Sequence, residues 1–329
     1  MDKTNRFLRY VLAFCIFVLF VMLFVACFEK KHAHKKYSLQ YEEKYYIQNL
    51  YKGNLLAKDL CVTDTDISLE GMSMDSEFHE AALFDIDNQK VLYSNKIFEE
   101  LYPASTTKLM TALLVLKYGN LEDIVIVSSN ATGFAADEQV CGLIEGDQIS
   151  MEDLLYGLVL YSGNDAAVAI AEHISGSVEA FANLMNKEAI KIGASQSNFV
   201  NPNGLHNEAH KTTAYDLYLI FNECCKDQRF LDIISQKEYT GTVIGADGST
   251  RMIEWPATNY YAQGLANAPE HVIIYGGKTG TTDEAGCCVI LYEQNAQGNR
   301  YISIIMGATD KTTLYDDMTE LLNYGIPIS

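Results

Sequence analysis

A serine three residues ahead of a lysine occurs once in the chain, as Ser105-Thr106-Thr107-Lys108, and a Lys-Thr-Gly tripeptide also occurs once, as Lys278-Thr279-Gly280. Ser-x-Asn occurs twice, as Ser128-Ser129-Asn130 and Ser162-Gly163-Asn164. A Ser-x-x-Lys pattern alone arises by chance about once in a chain of this length. The three patterns in this order, each at a structural break, point to one chemistry: a serine hydroxyl made nucleophilic by a neighbouring amine.

On a helix, residues three apart share a face, so Lys108 is expected beside Ser105 at a buried helix start. Lysine normally titrates near about 10.4 and is a poor base at neutral pH. Desolvation by the apolar stretch 109–116 lowers that value and lets the amine take the Ser105 proton. The helix amino end also presents backbone N–H groups to a developing oxyanion. Ser162-Gly163-Asn164 falls between two apolar helices, where Gly163 is expected to permit a bend that aims its neighbours into a cleft. There the hydroxyl relays a proton to a leaving amine, and the amide holds substrate or Lys108. Lys278 and Thr279 follow a strand and Gly276-Gly277, small residues expected to let another chain lie along the strand edge with an anionic group on the lysine and the hydroxyl. Ser128-Ser129-Asn130 reads as a capped turn and is set aside.

The elements that must position these groups follow from the pattern. Residues 81–85 and 91–94 around Asp87-Asn88-Gln89 predict a β-hairpin. Pro103 before the 109–116 run and Gly119 after it punctuate a helix that is apolar all round and therefore central. Ser150 with Asp153 opens a helix through 154–160, followed by helices over 165–173, 181–192 and 213–225. Strands return at 272–275, 285–292 and 301–306, and 310–324 closes the chain as a helix. Strands at both ends around a helical middle predict one α+β domain whose sheet joins distant segments.

The 329 residues carry 24 Lys+Arg against 43 Asp+Glu, a net charge of -19, which argues against nucleic acid as a partner. Residues 1–36 hold seven basic and two acidic groups, and within them 10–28 runs without a charge, close to the roughly 20 residues that cross a bilayer. An uncleaved single-span membrane anchor is the favoured reading, with a cleaved signal or a lipidated Cys27 as alternatives; all three place the large acidic part outside the cytoplasm. Residues 1–28 are thus read as cytoplasmic head and anchor, 29–78 as a juxtamembrane linker with a spacer helix over 37–50, and 79–329 as the catalytic domain. Cys15 and Cys27 lie in the apolar run. The other six (Cys61, Cys141, Cys224, Cys225, Cys287 and Cys288) form no C-x-x-C and are either buried thiols or disulfides of unassigned pairing.

The motifs resemble those of the penicillin-recognising serine enzymes. More narrowly, Tyr102-Pro103-Ala104-Ser105-Thr106-Thr107-Lys108-Leu109-Met110-Thr111 is similar to the active-site segment of low-molecular-weight D-alanyl-D-alanine carboxypeptidases, as are Asn201-Pro202-Asn203-Gly204-Leu205 and the run from Gly277 through Gly286. The similarity spans roughly residues 79 to 325. It implies a β-lactamase/transpeptidase-like α+β fold, an antiparallel sheet with helices on both faces plus a mainly helical subdomain. It also implies peptidoglycan stem peptides ending in D-Ala-D-Ala as substrates, β-lactams as acylating inhibitors, and no metal or organic cofactor. The implied roles are Ser105 as nucleophile, Lys108 as proton acceptor, Ser162 as proton relay with Asn164 in support, and Lys278 and Thr279 on the substrate carboxylate. The N–H groups of Ser105 and Thr281 form the implied oxyanion hole. Members of the family often carry a carboxyl-terminal β-rich domain and membrane helix. This chain ends about 50 residues after Lys278, and the amino-terminal run is expected to replace that anchor.

Two other serine-acylating readings share the motifs. A class A β-lactamase needs a glutamate-held water, and no Asp or Glu lies between Glu188 and Glu208, where that glutamate is expected. A β-lactam sensor that acylates without turnover normally has several membrane spans, against one here. His206 and His210 stand four apart, but Glu208 is displaced from the zincin position and a loop signal precedes them, so no metal is expected.

Overall fold

The computed structural model describes residues 59–72 and 80–328, together with Val18 and Met22. The expected membrane run over 10–28, apart from those two positions, and the spacer helix over 37–50 lie outside the described residues. Among the described residues no helix is long and apolar enough to cross a membrane.

The predicted hairpin is present as β1 (Glu80–Asp85) and β2 (Lys90–Asn95). A single 3-10 turn, Ala104–Thr107, leads into α1 (Lys108–Tyr118). Next come β3 (Ile124–Ile126), β4 (Gln148–Ser150), α2 (Met151–Tyr156) and a π-helical turn, Gly157–Tyr161. Four helices follow: α3 (Asn164–Ser175), α4 (Val178–Ile192), α5 (Ala214–Cys224) and α6 (Gln228–Ile234). The chain then forms β5 (Glu238–Ile244), β6 (Thr250–Pro256) and α7 (Tyr260–Gln263). It closes with β7 (Val272–Thr282), β8 (Gly286–Asn295), β9 (Arg300–Ala308) and α8 (Lys311–Gly325).

Five strands pair in the order β2-β1-β9-β8-β7, every pair antiparallel. Alternate side chains leave this sheet in opposite directions. Leu83, Val289, Leu291 and Ile305 meet Leu314, Met318 and Leu322 of α8. Phe84, Ile290, Ile302 and Ile304 enter the larger core with α1 and α5, where Phe84 stacks on Tyr218 at 4.0 Å. A sheet covered on both faces explains why β8 and β9 read as nearly continuous apolar runs and not as an alternation. In α1, Leu109 through Val115 are all buried, in keeping with its place at the centre.

Two features depart from the sequence reading. The helical middle also carries a second sheet, in the order β3-β4-β5-β6. Two of its strands are only three residues long, and Gly241 interrupts β5, so no period-2 signal is legible. Gly241 is needed because fully buried Trp255 lies across it: a Cβ there would sit 2.3 Å from the indole. Second, residues 59–72 of the expected linker belong to the compact unit that holds the catalytic motifs. The Cys61 N–H donates to the Tyr218 hydroxyl at 3.0 Å, and Ile67 pairs with Ser94 on the free side of β2, covering that sheet edge. Leu60 and Cys61 also pack into the larger core, and Leu69 and Met72 against the face that holds α8, but Asp, Thr and Ser interleave them without a clear period. The six cysteines among the described residues are free thiols.

Candidate active site

Ser105 sits on the 3-10 turn, not on the α-helix, and Lys108 is the first residue of α1. The expected pairing survives because residues three apart eclipse one another in 3-10 geometry. Lys108 Nζ donates to Ser105 Oγ at 2.9 Å, to Asn164 Oδ1 at 2.8 Å and to the Asn203 carbonyl at 2.7 Å. The side chain is wholly buried, and burial pushes its pKa down to about 7, against the opposing influence of Cys141 and Asp165. Three acceptors saturate an ammonium. Once a proton leaves, two N–H groups remain for Asn164 and Asn203, and the lone pair is left facing Ser105, whose O–H then becomes the donor. The geometry therefore selects which hydroxyl the free amine deprotonates.

Ala104, just before the nucleophile, has φ 46, and Ser162 has φ 69. Both are left-handed without being glycine, a strain of about 1 kcal/mol or more each that concentrates at functional sites. The bend in Ser162-Gly163-Asn164 thus falls on the serine. Gly163 has an ordinary φ of -62, and what it supplies is space, since a Cβ would lie 2.3 Å from Cys141 Sγ. Cys141 fills a notch against Gly163 and Gly157, and burial, with Asp165 second, holds its thiol pKa well above the usual range. Asp165 fastens this strap by accepting from the N–H groups of Cys141 at 2.8 Å and Leu143 at 3.0 Å, and Trp255 Nε1 donates to the Cys141 carbonyl at 3.1 Å. The second sheet, through Trp255, thereby holds the Cys141 segment against Gly163, next to Ser162.

Lys278 and Thr279 lie within β7, which forms one edge of the large sheet and is longer than predicted. Lys278 is wholly buried, and Nζ donates to Ser162 Oγ and to the Thr279 carbonyl, each at 2.8 Å. Burial, with the charge of Lys108 second, pushes its pKa well down; an anion in the cleft would favour the ammonium again. Gly276 and Gly277 answer to neighbours inside the fold and not to an incoming chain: a Cβ would meet the Ile234 carbonyl at 1.8 Å and the Ile290 carbonyl at 1.9 Å respectively. Gly280 brings β7 against the Ser105 turn, with its Cβ position 3.0 Å from the Ser105 nitrogen. Thr281 lines the cleft, and its hydroxyl donates back to the Gly280 carbonyl at 2.8 Å.

Ser105, Ser162, Thr279 and Thr281 line one cavity of about 140 Å³. Lys108 and Asn164 lie buried directly behind Ser105, and Lys278 behind Ser162. Of the seven residues singled out in the sequence, all are brought together. Reading by residue type missed Thr258, which meets Thr279 Oγ1 at 2.6 Å, and Lys311 on the cavity wall; it quoted Asn203 within the 201–205 segment without assigning its main-chain carbonyl a role. The discarded Ser128 and Asn130 spend their side chains on Glu172. His210 is buried, accepts from the Val200 N–H at Nδ1 and meets Thr107 Oγ1 at Nε2, and burial lowers its pKa to about 4. His206 packs on Tyr102 instead. Among the described residues, no group of His, Cys, Asp and Glu is arranged to hold a metal ion.

Serine, buried lysine, a second serine and a lysine-bearing edge strand are the arrangement of the penicillin-recognising serine class. The family model for D-alanyl-D-alanine carboxypeptidase matches residues 67–310, and the chain belongs to this family. It is 33% identical over 258 residues to the D-alanyl-D-alanine carboxypeptidase DacF of Bacillus subtilis, covering 75% of this chain and 62% of that one. It is 34% identical to DacC of Escherichia coli, covering 74% and 60%. The chain thus spans about 60% of the length of these relatives. The Streptomyces K15 DD-transpeptidase has the same fold, with a TM-score of 0.68 and 28% identity, covering 80% of this chain and 99% of that structure.

Proposed function

We propose that the protein is a serine D-Ala-D-Ala carboxypeptidase that removes the terminal D-Ala from peptidoglycan stem pentapeptides. The observation that carries this reading is the wholly buried Lys108 amine 2.9 Å from Ser105 Oγ, with its pKa brought to about 7. Neutral Lys108 takes the Ser105 proton as Oγ attacks the carbonyl carbon of the penultimate D-Ala. The Ser105 and Thr281 N–H groups face the developing oxyanion, while Lys278 and Thr279 hold the terminal carboxylate. The proton passes from Lys108 through the Ser162 hydroxyl to the nitrogen of the departing D-Ala as the peptide bond breaks. Water then enters, and Lys108 accepts its proton and returns it to Ser105 Oγ as the ester is cleaved. A β-lactam is expected to acylate the same oxygen without releasing a fragment. The uncharged run at 10–28 and the acidic remainder support a single amino-terminal membrane span with the catalytic part outside the cytoplasm.

The wild-type protein is expected to be labelled covalently by fluorescent penicillin and to release D-Ala from a pentapeptide, with both lost in Ser105→Ala. An unlabelled wild type would overturn the assignment, and rapid turnover of a chromogenic cephalosporin would replace it with a β-lactamase.

A further inference from the structure

We infer that Thr258 is a positioning residue for the carboxylate end of the substrate, acting by donating its hydroxyl proton to Thr279. This rests on the carboxypeptidase reading above and names a part of its binding site that the motifs do not contain.

The two hydroxyl oxygens stand 2.6 Å apart, and either one can donate. Both residues line the cavity that holds Ser105 and Ser162. A carboxylate offers acceptors only. When it occupies the cleft, the Thr279 proton must point at it, and the hydroxyl pair persists only if Thr258 becomes the donor. Donation from Thr258 also polarises the Thr279 O–H and strengthens its bond to the anion.

The backbone around Thr258 is built to hold that hydroxyl still. Its N–H donates to the Leu160 carbonyl at 3.1 Å, and the preceding Ala257 N–H donates to the Lys237 carbonyl at 2.8 Å. The following Asn259 is buried and caps α7 through the Tyr261 N–H at 2.9 Å. Leu160 is two residues before Ser162, so the same contact ties the relay serine's turn to the carboxylate site. A neutral amide terminus carries both a donor and an acceptor and can be met with the hydroxyl pair in either direction. Thr258 therefore contributes to the preference for a free acid.

Steady-state release of the terminal residue from a D-Ala-D-Ala peptide, and from the same peptide ending in a primary amide, tests this in wild type, Thr258→Val, Thr258→Ser and Thr279→Val. Thr258→Val is expected to lower kcat/KM on the acid roughly tenfold, mainly through KM, with a clearly smaller loss on the amide. Thr258→Ser is expected to recover most of that loss, and Thr258→Val added to Thr279→Val is expected to lower the rate no further. If the valine variant does not fold, Thr258→Cys, a weak donor of similar shape, is held to the same selective loss on the acid. Equal losses on acid and amide, no loss on the acid, or losses that multiply in the double variant would overturn the inference while leaving the carboxypeptidase reading intact. A wild type that resists penicillin and releases nothing from either peptide would instead sink that reading, and this inference with it.

Discussion

Lys108→Met is expected to slow penicillin acylation of Ser105 by roughly a hundred- to ten-thousandfold, the range spanned by a positioned general base. Lys108→Arg is expected to do the same, because a guanidinium stays charged and has no lone pair to offer. In the wild type the neutral amine is the active form, and its pKa is brought to about 7. The acylation rate should therefore fall about tenfold per pH unit below that value and level off above it. Stopped-flow labelling between pH 5 and 9 reads this directly, and a flat profile would show that Lys108 is not the base. The same shift has a sign for stability. Between about 7 and the unfolded lysine value of 10.5 the unfolded chain binds one proton more than the native state. Lys108 alone thus makes stability rise with pH across that window, and its full cost is felt below about 7.

Gly204→Ala should disable the site from a position that takes no part in the chemistry. A Cβ at Gly204 would lie 1.8 Å from the Ala104 carbonyl and 2.8 Å from Thr107 Oγ1, at a φ of +87. Collision with backbone and a left-handed alanine together cost about 3 kcal/mol. That corresponds to a fall in Tm of roughly 6–12 °C for a domain of this size. Whatever relief the structure finds must move either the Ser105 turn or the neighbouring Asn203 carbonyl that fixes Lys108, so acylation should drop roughly a hundredfold or more even in the folded fraction. Gly133→Ala is the control: its φ is +80 but a Cβ there meets nothing within 4 Å, so only the backbone cost of about 1 kcal/mol is expected. Thermal melts with penicillin labelling on both variants compare the two costs, and equal behaviour would show that the Ala104 contact is not decisive.

What the sequence discloses depends on how local each feature is. Ser105 and Lys108 are three residues apart, and Lys278 and Thr279 are adjacent, so residue type and spacing carry their chemistry. The core strands were legible because a sheet covered on both faces demands unbroken apolar runs. Asn203 acts through a main-chain carbonyl that any residue possesses, so the 201–205 segment marks the place but not that role. Thr258 reaches Thr279 across 20 intervening residues, from a loop with no motif of its own. The strap at Cys141 depends on Trp255, which is 114 positions away. The glycines show the other limit. Gly163, Gly276 and Gly277 invite an explanation from flexibility or an approaching ligand, yet each is fixed by contact with an atom that only the folded chain brings near.

The large sheet closes by pairing β1 at residues 80–85 with β9 at residues 300–308, so its central strand is made long after its neighbour. Lys278, which seats on the Ser162 hydroxyl, also arrives late in the chain. A nascent polypeptide that displays Ser105 and Lys108 before Lys278 has been made therefore carries an ordinary serine and an ordinary charged amine. The reactivity proposed for Ser105 waits for the strand that carries Lys278 and Thr279, and a pulse of labelled penicillin would time the maturation of newly made molecules.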